Sequence, residues 1–166
     1  MLHGISLIMK TKTKYQDKMD TNTKTKDSFS NVAIDIKIKL SALWITIMFL
    51  FVYADLKTIY QTGTVDAIIK GEIIGMKIDQ FFLLTSAILM SLPAIMIVLS
   101  VILKPKLNRI ANIACAFLFI IVNTGTYFVP GKVWSYYIYF TFLEYLILAM
   151  ILIFAWKWPK EKDSRQ

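Results

Sequence analysis

The chain of 166 residues is strongly apolar: 57% of its residues are hydrophobic, and its mean hydropathy is +0.57. Its net charge is +8, with 19 Lys and Arg against 11 Asp and Glu, and these charges cluster at a few places along the chain. Such a composition excludes an ordinary soluble domain and predicts a membrane protein.

The first 39 residues differ in composition from the rest and contain the run KTKTKYQDKMDTNTKTKDS. Lys, Thr, Asp and Asn offer too little apolar surface to offset the conformational entropy lost on folding, so residues 1–39 are predicted to form a disordered cytoplasmic tail. The opening LHGISLIM does not match a signal peptide, because its apolar core is short and no basic residue precedes it. The segment has no recognisable nucleic-acid-binding fold, so its lysines do not predict nucleic-acid binding.

Four stretches are long enough to cross a hydrocarbon core about 30 Å thick, which requires roughly 20 apolar residues in a helix. They are Leu40 to Tyr60, Phe81 to Leu103, Ile110 to Val129 and Val133 to Trp156. The second and third contain no charged residue, whereas the first carries Asp55 and Lys57 near its end. Residues 40–158 are therefore predicted to form the transmembrane domain, followed by a short cytoplasmic tail over residues 159–166.

The connections between the predicted spans indicate how the helices are arranged. Spans 2 and 3 are joined by six residues, Lys104 to Arg109, and spans 3 and 4 by three, Pro130 to Lys132. Such short links favour antiparallel neighbours, so the predicted fold is an all-α antiparallel bundle of four transmembrane helices. The longer loop over residues 61–80 is predicted to hold a short amphipathic segment capped by Thr64, with Asp66 in its first turn.

The distribution of basic residues predicts the orientation, because Lys and Arg near span ends are retained on the cytoplasmic side. Fifteen of the 19 lie in the N-terminal tail, in the connection between spans 2 and 3 and in the C-terminal tail. Three lie in the loops on the other side, and Lys57 lies in the outer end of span 1. Both termini are therefore predicted to be cytoplasmic, and the N-terminal lysines can also attract anionic lipid.

Several residue types needed for catalysis are scarce. The single histidine is His3, and the single cysteine is Cys115, so the sequence offers no bis-His haem or His-based metal site, no CxxC pair and no internal disulfide. The sequence also lacks three kinds of motif found in enzymes: GxSxG, HExxH and phosphate-binding glycine motifs. The sequence therefore predicts a protein that is not an enzyme and holds no cofactor or metal, with Cys115 as a small buried residue of span 3.

Polar residues inside the spans are the candidate functional residues, because they are costly in a bilayer. Span 4 carries Tyr137, Thr141 and Glu144 at spacings of four and three, which puts them on one helical face. Asn123 in span 3 and Asp55 in span 1 complete the predicted ligand-binding set. Glu144 is either a water-accessible, ionisable group lining a pocket or a neutral group that hydrogen-bonds a neighbouring helix.

Depth along the spans separates these residues into two groups. At the helical rise, Asp55 and Ser86 lie roughly 8 Å and Asn123 roughly 9 Å from the outer ends of their spans, which predicts a shared layer. Glu144 lies roughly 16 Å deep by the same measure, near the midplane. We therefore expect Glu144 to stay out of contact with that layer and not to form half of a carboxylate pair.

A resemblance to a known family rests on three segments: KLSALWITIMFLFVYAD, AILMSLPAIMIVLSVILKPKLNRIANI and FAWKWPKEK. Together they make residues 37–162 resemble an uncharacterised bacterial family of four-span membrane proteins, more distantly similar to DoxX-like proteins. The resemblance implies a four-helix fold in a bacterial cytoplasmic membrane and supplies no reaction.

Three functions are compatible with these observations. The first is binding or transport of a small apolar or cationic ligand in a polar-lined pocket between the helices. The second is a structural or accessory role, with a membrane protein partner or a second copy of the chain packed on its helices. The third, indicated only by the distant DoxX-like resemblance, is a redox accessory role with quinone.

Overall fold

The computed structural model describes residues 33–73, 75–128 and 134–159. This part of the chain contains five helices and a two-stranded hairpin. The helices are α1 (Ile36–Ile59), α2 (Thr64–Ile69), α3 (Gln80–Ile102), α4 (Pro105–Thr126) and α5 (Ser135–Trp156), and the strands are β1 (Glu72–Ile73) and β2 (Met76–Lys77). Most of the predicted tail lies outside the described residues, as does the predicted link between spans 3 and 4.

The first long helix, α1, begins at Ile36, four residues before the predicted start at Leu40. Asp35 explains the difference, because its carboxylate accepts a hydrogen bond from the backbone N–H of Lys37 at 2.7 Å and so caps the helix. The last residues assigned to the tail are thus helical. Their lysines lie on the first turn of α1.

The connection between α1 and α3 is more ordered than predicted. A short helix does form there, with Asp66 in its first turn, but Gly63 rather than Thr64 is its N-cap, and no side chain caps it. Gly63 has a φ of 86°, a left-handed conformation that favours glycine. The hairpin that follows pairs β1 and β2 antiparallel, with Gly71 and Gly75 also at positive φ. The sequence prediction did not include this hairpin.

The link between α3 and α4 is shorter than the six residues predicted, because only Leu103 and Lys104 lie between the two helices. Pro105 begins α4, at a position where its missing N–H costs nothing and its fixed φ suits the helix. Asn108 and Arg109 are therefore helical rather than part of a loop. The tight link still makes α3 and α4 antiparallel neighbours.

Side-chain contacts show that α1 lies beside both α3 and α5. On the α3 side, the hydroxyl of Ser41 donates to the carbonyl of Ile97 at 2.9 Å. On the α5 side, the hydroxyls of Thr58 and Tyr136 meet at 3.0 Å, and the Gln61 amide also donates to Tyr136. Because the start of α1 contacts the end of α3, and the end of α1 contacts the start of α5, α1 is antiparallel to both.

Aromatic side chains form the centre of the core, where α1 meets α4. The ring of Phe119 on α4 contacts Trp44 and Phe51 of α1, at centroid separations of 6.3 and 5.3 Å. The Trp44 indole N–H also donates to the side chain of Asn112. The pairs Trp44–Asn112 and Phe51–Phe119 advance together along the two helices, so α1 and α4 run parallel in a fixed register.

The outward faces of the long helices are apolar, with exposed side chains such as Phe49, Ile88, Ile121 and Ile153. Within the described residues, four helices are long and apolar enough to cross a membrane: α1, α3, α4 and α5. An apolar exterior on helices of this length is what contact with lipid tails requires. The prediction of an all-α membrane protein is confirmed.

Candidate functional site

Glu144 lies on the buried face of α5, with 5% of its surface exposed. Its Oε2 accepts a hydrogen bond from Nδ2 of Asn123 on α4, at 2.9 Å. Asn123 is buried as well, so the carboxyl group and the amide meet inside the helical domain. The expectation that Glu144 lies too deep to contact Asn123 is therefore wrong.

The stagger between α4 and α5 is the physical reason for this contact. One residue further along each helix, the hydroxyls of Thr124 and Tyr145 also meet, at 2.9 Å. Because the helices are antiparallel, these two pairs align the end of α4 with a point inside α5 rather than with its first residue. The predicted depths of Asn123 and Glu144 were counted from the outer ends of spans 3 and 4. That count assumes that the two ends lie at the same level in the membrane, and in the structure the helices are staggered.

The second carboxyl oxygen of Glu144, Oε1, is the open part of the side chain. Every buried side-chain nitrogen or oxygen of the described residues has a hydrogen-bond partner. In that part of the chain Glu144 makes a single hydrogen bond, through Oε2. Oε1 therefore keeps a small accessible surface.

Asp55 supplies a second carboxyl group at the level of Asn123. The parallel register of α1 and α4 puts Asp55 level with Asn123, as predicted. Ser86, the third member of the predicted layer, instead donates its hydroxyl to the carbonyl of Leu83 in its own helix. Asp55 is exposed, whereas Glu144 is buried, so the two carboxyl groups lie in different surroundings.

Thr141 and Tyr137 continue the polar face of α5 from Glu144 toward the start of the helix. Thr141 is buried and Tyr137 is half-buried, which confirms that this stripe is turned inward. The ring of Tyr137 meets the rings of Tyr127 and Tyr136 edge-on, at centroid separations of 6.2 and 6.5 Å. Three tyrosine rings thus stand at the end of the stripe that leads to Glu144.

The predicted likeness to an uncharacterised family agrees with a comparison against family models. The model described as "Family of unknown function (DUF6326)" matches residues 32–164, which is most of the chain. The chain belongs to the DUF6326 family. No curated protein and no solved structure matches it. The likeness to DoxX-like proteins and the bacterial origin stay predictions.

In this DUF6326 protein, a second buried polar cluster lies toward the opposite end of α4. Oδ1 of Asn112 accepts from the Trp44 indole N–H at 2.7 Å and from the Ser100 hydroxyl at 3.3 Å. Nδ2 of Asn112 donates to the carbonyl and side-chain oxygens of Asn108, and Asn108 donates to the carbonyl of Ser100 at 2.6 Å. Both side chains of this asparagine pair are fully buried and bonded, so the cluster joins helices and offers no free group to a ligand.

Sequence reasoning missed half of this cluster, because Asn108 was assigned to a loop. Asn112 lies eleven residues before Asn123, about three helical turns away, and shares its buried face of α4. The signal that would have found Asn108 is its spacing of four from Asn112, together with a proline three residues earlier that can begin a helix.

The two ends of the DUF6326 domain therefore differ in what they can do chemically. The described residues contain no group of three or more His, Cys, Asp or Glu side chains that could hold a metal ion. Cys115 is partly buried and packs against the apolar core. Among the described residues, Glu144 is the buried carboxyl group with an open oxygen, and Asn123 fixes the orientation of its other oxygen.

Proposed function

We propose that this DUF6326 protein binds a small organic cation at Glu144 and is not an enzyme. One observation carries the proposal: Glu144 is a carboxyl group buried among membrane-crossing helices, and no basic side chain of the described residues forms an ion pair with it or with Asp55. A carboxyl group in a site of low dielectric attracts positive charge strongly, and a bound cation stabilises its charged form. The open Oε1 of Glu144 is the atom that such a cation contacts.

The surrounding side chains favour an organic cation over a metal ion. A metal ion requires several hard ligands at fixed distances, whereas a quaternary ammonium group requires a negative charge and aromatic ring faces. Tyr127, Tyr136 and Tyr137 provide such rings beside the polar stripe. Thr141 lies between these rings and Glu144 on the same face of α5 and adds a hydroxyl group.

We further propose that both termini are cytoplasmic and that the protein resides in a bacterial cytoplasmic membrane. The basic residues of the described part support this orientation, because the start of α1, the start of α4 and the end of α5 carry most of them. Glu144 and Asp55 lie in the other half of the domain. The cation therefore arrives from the side opposite the cytoplasm.

Binding of benzyltrimethylammonium to the purified protein tests this proposal. Its matched neutral analogue is neopentylbenzene, in which a carbon atom replaces the nitrogen and the shape is kept. Isothermal titration calorimetry in detergent micelles is expected to show binding of the cation and not of the analogue. Glu144→Gln is expected to weaken binding about tenfold or more, since a lost charge interaction of about 1.4 kcal/mol changes an affinity tenfold.

Glu72→Gln is the matched control, because Glu72 is an exposed carboxylate on β1, outside the long helices. This variant loses the same charge and is expected to bind the cation as the unmodified protein does. If Glu144→Gln does not fold, Asp55→Asn is measured instead, with an expected loss of several-fold. Equal affinity in the Glu72 and Glu144 variants, or equal binding of the neutral analogue, would refute the proposal.

A further inference from the structure

The end of the helical domain remote from Glu144 is strongly basic. In the described residues it carries six basic side chains and one acidic side chain, Asp35, which is occupied in capping α1. The basic side chains are Lys37, Lys39, Lys104, Lys106, Arg109 and Lys157. The described part of the other end has three basic residues and four exposed acidic ones, so the positive charge is confined to one end.

Aromatic rings near the end of α5 hold two of these cations in place. The guanidinium of Arg109 on α4 lies over the ring of Trp156, 5.5 Å from its centroid. On the opposite flank, Nζ of Lys39 on α1 lies 5.9 Å from the centroid of Phe154. The end of α5 is therefore flanked by positive charge on two sides.

Trp156 has the exposure of an interfacial residue, with 69% of its surface exposed at the last position of α5. Tryptophan at this point of a membrane-crossing helix lies at the level of the lipid headgroups. A guanidinium held over its ring is at the same level. A cation–π contact of this kind does not use the N–H hydrogen bonds of the guanidinium, which remain suited to a phosphate.

Two further cations lie close in sequence to the Arg109–Trp156 pair. Lys106 precedes it by three residues and shares its face of α4, while Lys157 follows Trp156 directly. Both lysines are exposed, and within the described residues neither they nor Arg109 form an ion pair with a carboxylate. Within the described residues, the positive charge of this group is not neutralised, which suits an external anion.

From this arrangement we propose that Arg109, Lys106 and Lys157, set against Trp156, bind the phosphate headgroup of an anionic phospholipid. The depth of Trp156 favours a lipid over a soluble phosphate, because a lipid places its phosphate at the headgroup level while its acyl chains cover the apolar sides of α4 and α5. This site is independent of the one proposed at Glu144. It recognises the opposite charge at the opposite end of the domain.

Native mass spectrometry of the full chain, titrated with phosphatidylglycerol or phosphatidylcholine, tests the proposal. The double variant Arg109→Gln and Lys157→Gln is expected to bind phosphatidylglycerol about 25-fold more weakly, at about fivefold for each basic residue removed. Its weaker binding of phosphatidylcholine is expected to stay unchanged. The control is the double variant Lys70→Gln and Lys77→Gln, which loses the same charge at the other end and is expected to keep full affinity.

Two further measurements cover a variant that does not fold and distinguish a lipid from a soluble phosphate. Should the Arg109 double variant not fold, Lys157→Gln alone is expected to give the fivefold loss, because its side chain is exposed. Glycerol phosphate, the soluble headgroup, is expected not to compete at lipid concentrations. The proposal is overturned if both double variants bind phosphatidylglycerol equally, or if glycerol phosphate displaces the lipid.

Discussion

The hydrogen bond between Trp44 and Asn112 joins α1 to α4, and its removal is expected to have a measurable cost. Asn112→Leu keeps the approximate volume of the side chain but removes the acceptor of the Trp44 indole N–H and of the Ser100 hydroxyl. Hydrogen bonds between helices in membranes contribute about 0.6 kcal/mol on average and up to about 1.7 kcal/mol. A buried donor left without an acceptor costs about 1–3 kcal/mol. We therefore expect a loss of about 2 kcal/mol.

Trp44→Phe removes the donor of the same hydrogen bond. Asn112 still accepts a hydrogen bond from the Ser100 hydroxyl in this variant. Its expected cost is about 1 kcal/mol, since one hydrogen bond and part of a ring are lost. In the doubly substituted protein the shared bond is lost only once. The double variant is therefore expected to be more stable than the sum of the single variants predicts, by about 1 kcal/mol.

The assay is the free energy of unfolding in mixed micelles of dodecyl maltoside and sodium dodecyl sulfate, followed by circular dichroism. Thr46→Val is the control, because the Thr46 hydroxyl bonds the carbonyl of Ala42 in its own helix. This control is expected to change stability by less than about 0.5 kcal/mol. If the effects of Trp44→Phe and Asn112→Leu simply add, the bond does not stabilise the protein and the reasoning fails.

Three other substitutions have definite expectations. Asp79→Ala removes the carboxylate that accepts a hydrogen bond from the backbone N–H of Phe82. It is expected to lower the free energy of unfolding by about 1 kcal/mol. The readout is faster amide exchange confined to the first turn of α3. Gly71→Ala places a residue with a side chain at a φ of 79° and is expected to lower the free energy of unfolding by about 1 kcal/mol. The expected readout is increased proteolysis of the hairpin with an unchanged helical core. Tyr136→Phe loses the hydroxyl contact with Thr58 and is expected to lower the thermal unfolding temperature by a few degrees; no change would mean that this contact does not hold the ends of α1 and α5 together.

The helical segments were predictable because their composition reflects the solvent around them. A run of apolar residues long enough to cross a bilayer has few alternatives to a helix, since each backbone polar group must be satisfied within the segment. The ends of the helices were less predictable, because single residues decide them. Asp35 extended α1 toward the N-terminus by capping it, and Pro105 began α4 inside what looked like a loop.

The inward faces could also be predicted from spacing, whereas the contacts across helices could not. Asn123, Thr141 and Glu144 all lie on the buried faces expected of them. The partner of Glu144 depended on the stagger of α4 against α5, which is set by packing along the whole length of both helices. Residue counts from the ends of spans contain no information about that stagger, so the Asn123 contact was missed.

The aromatic contact between Phe51 and Phe119 has a consequence for the direction in which a bound molecule can leave. Both rings are buried, and they occupy the core between the carboxyl groups near Glu144 and the amides around Asn112. With these rings in contact, the two polar regions of the described chain are separated by an apolar layer. If the proposed cation binds at Glu144, this layer would return it to the side from which it came, unless the two rings part.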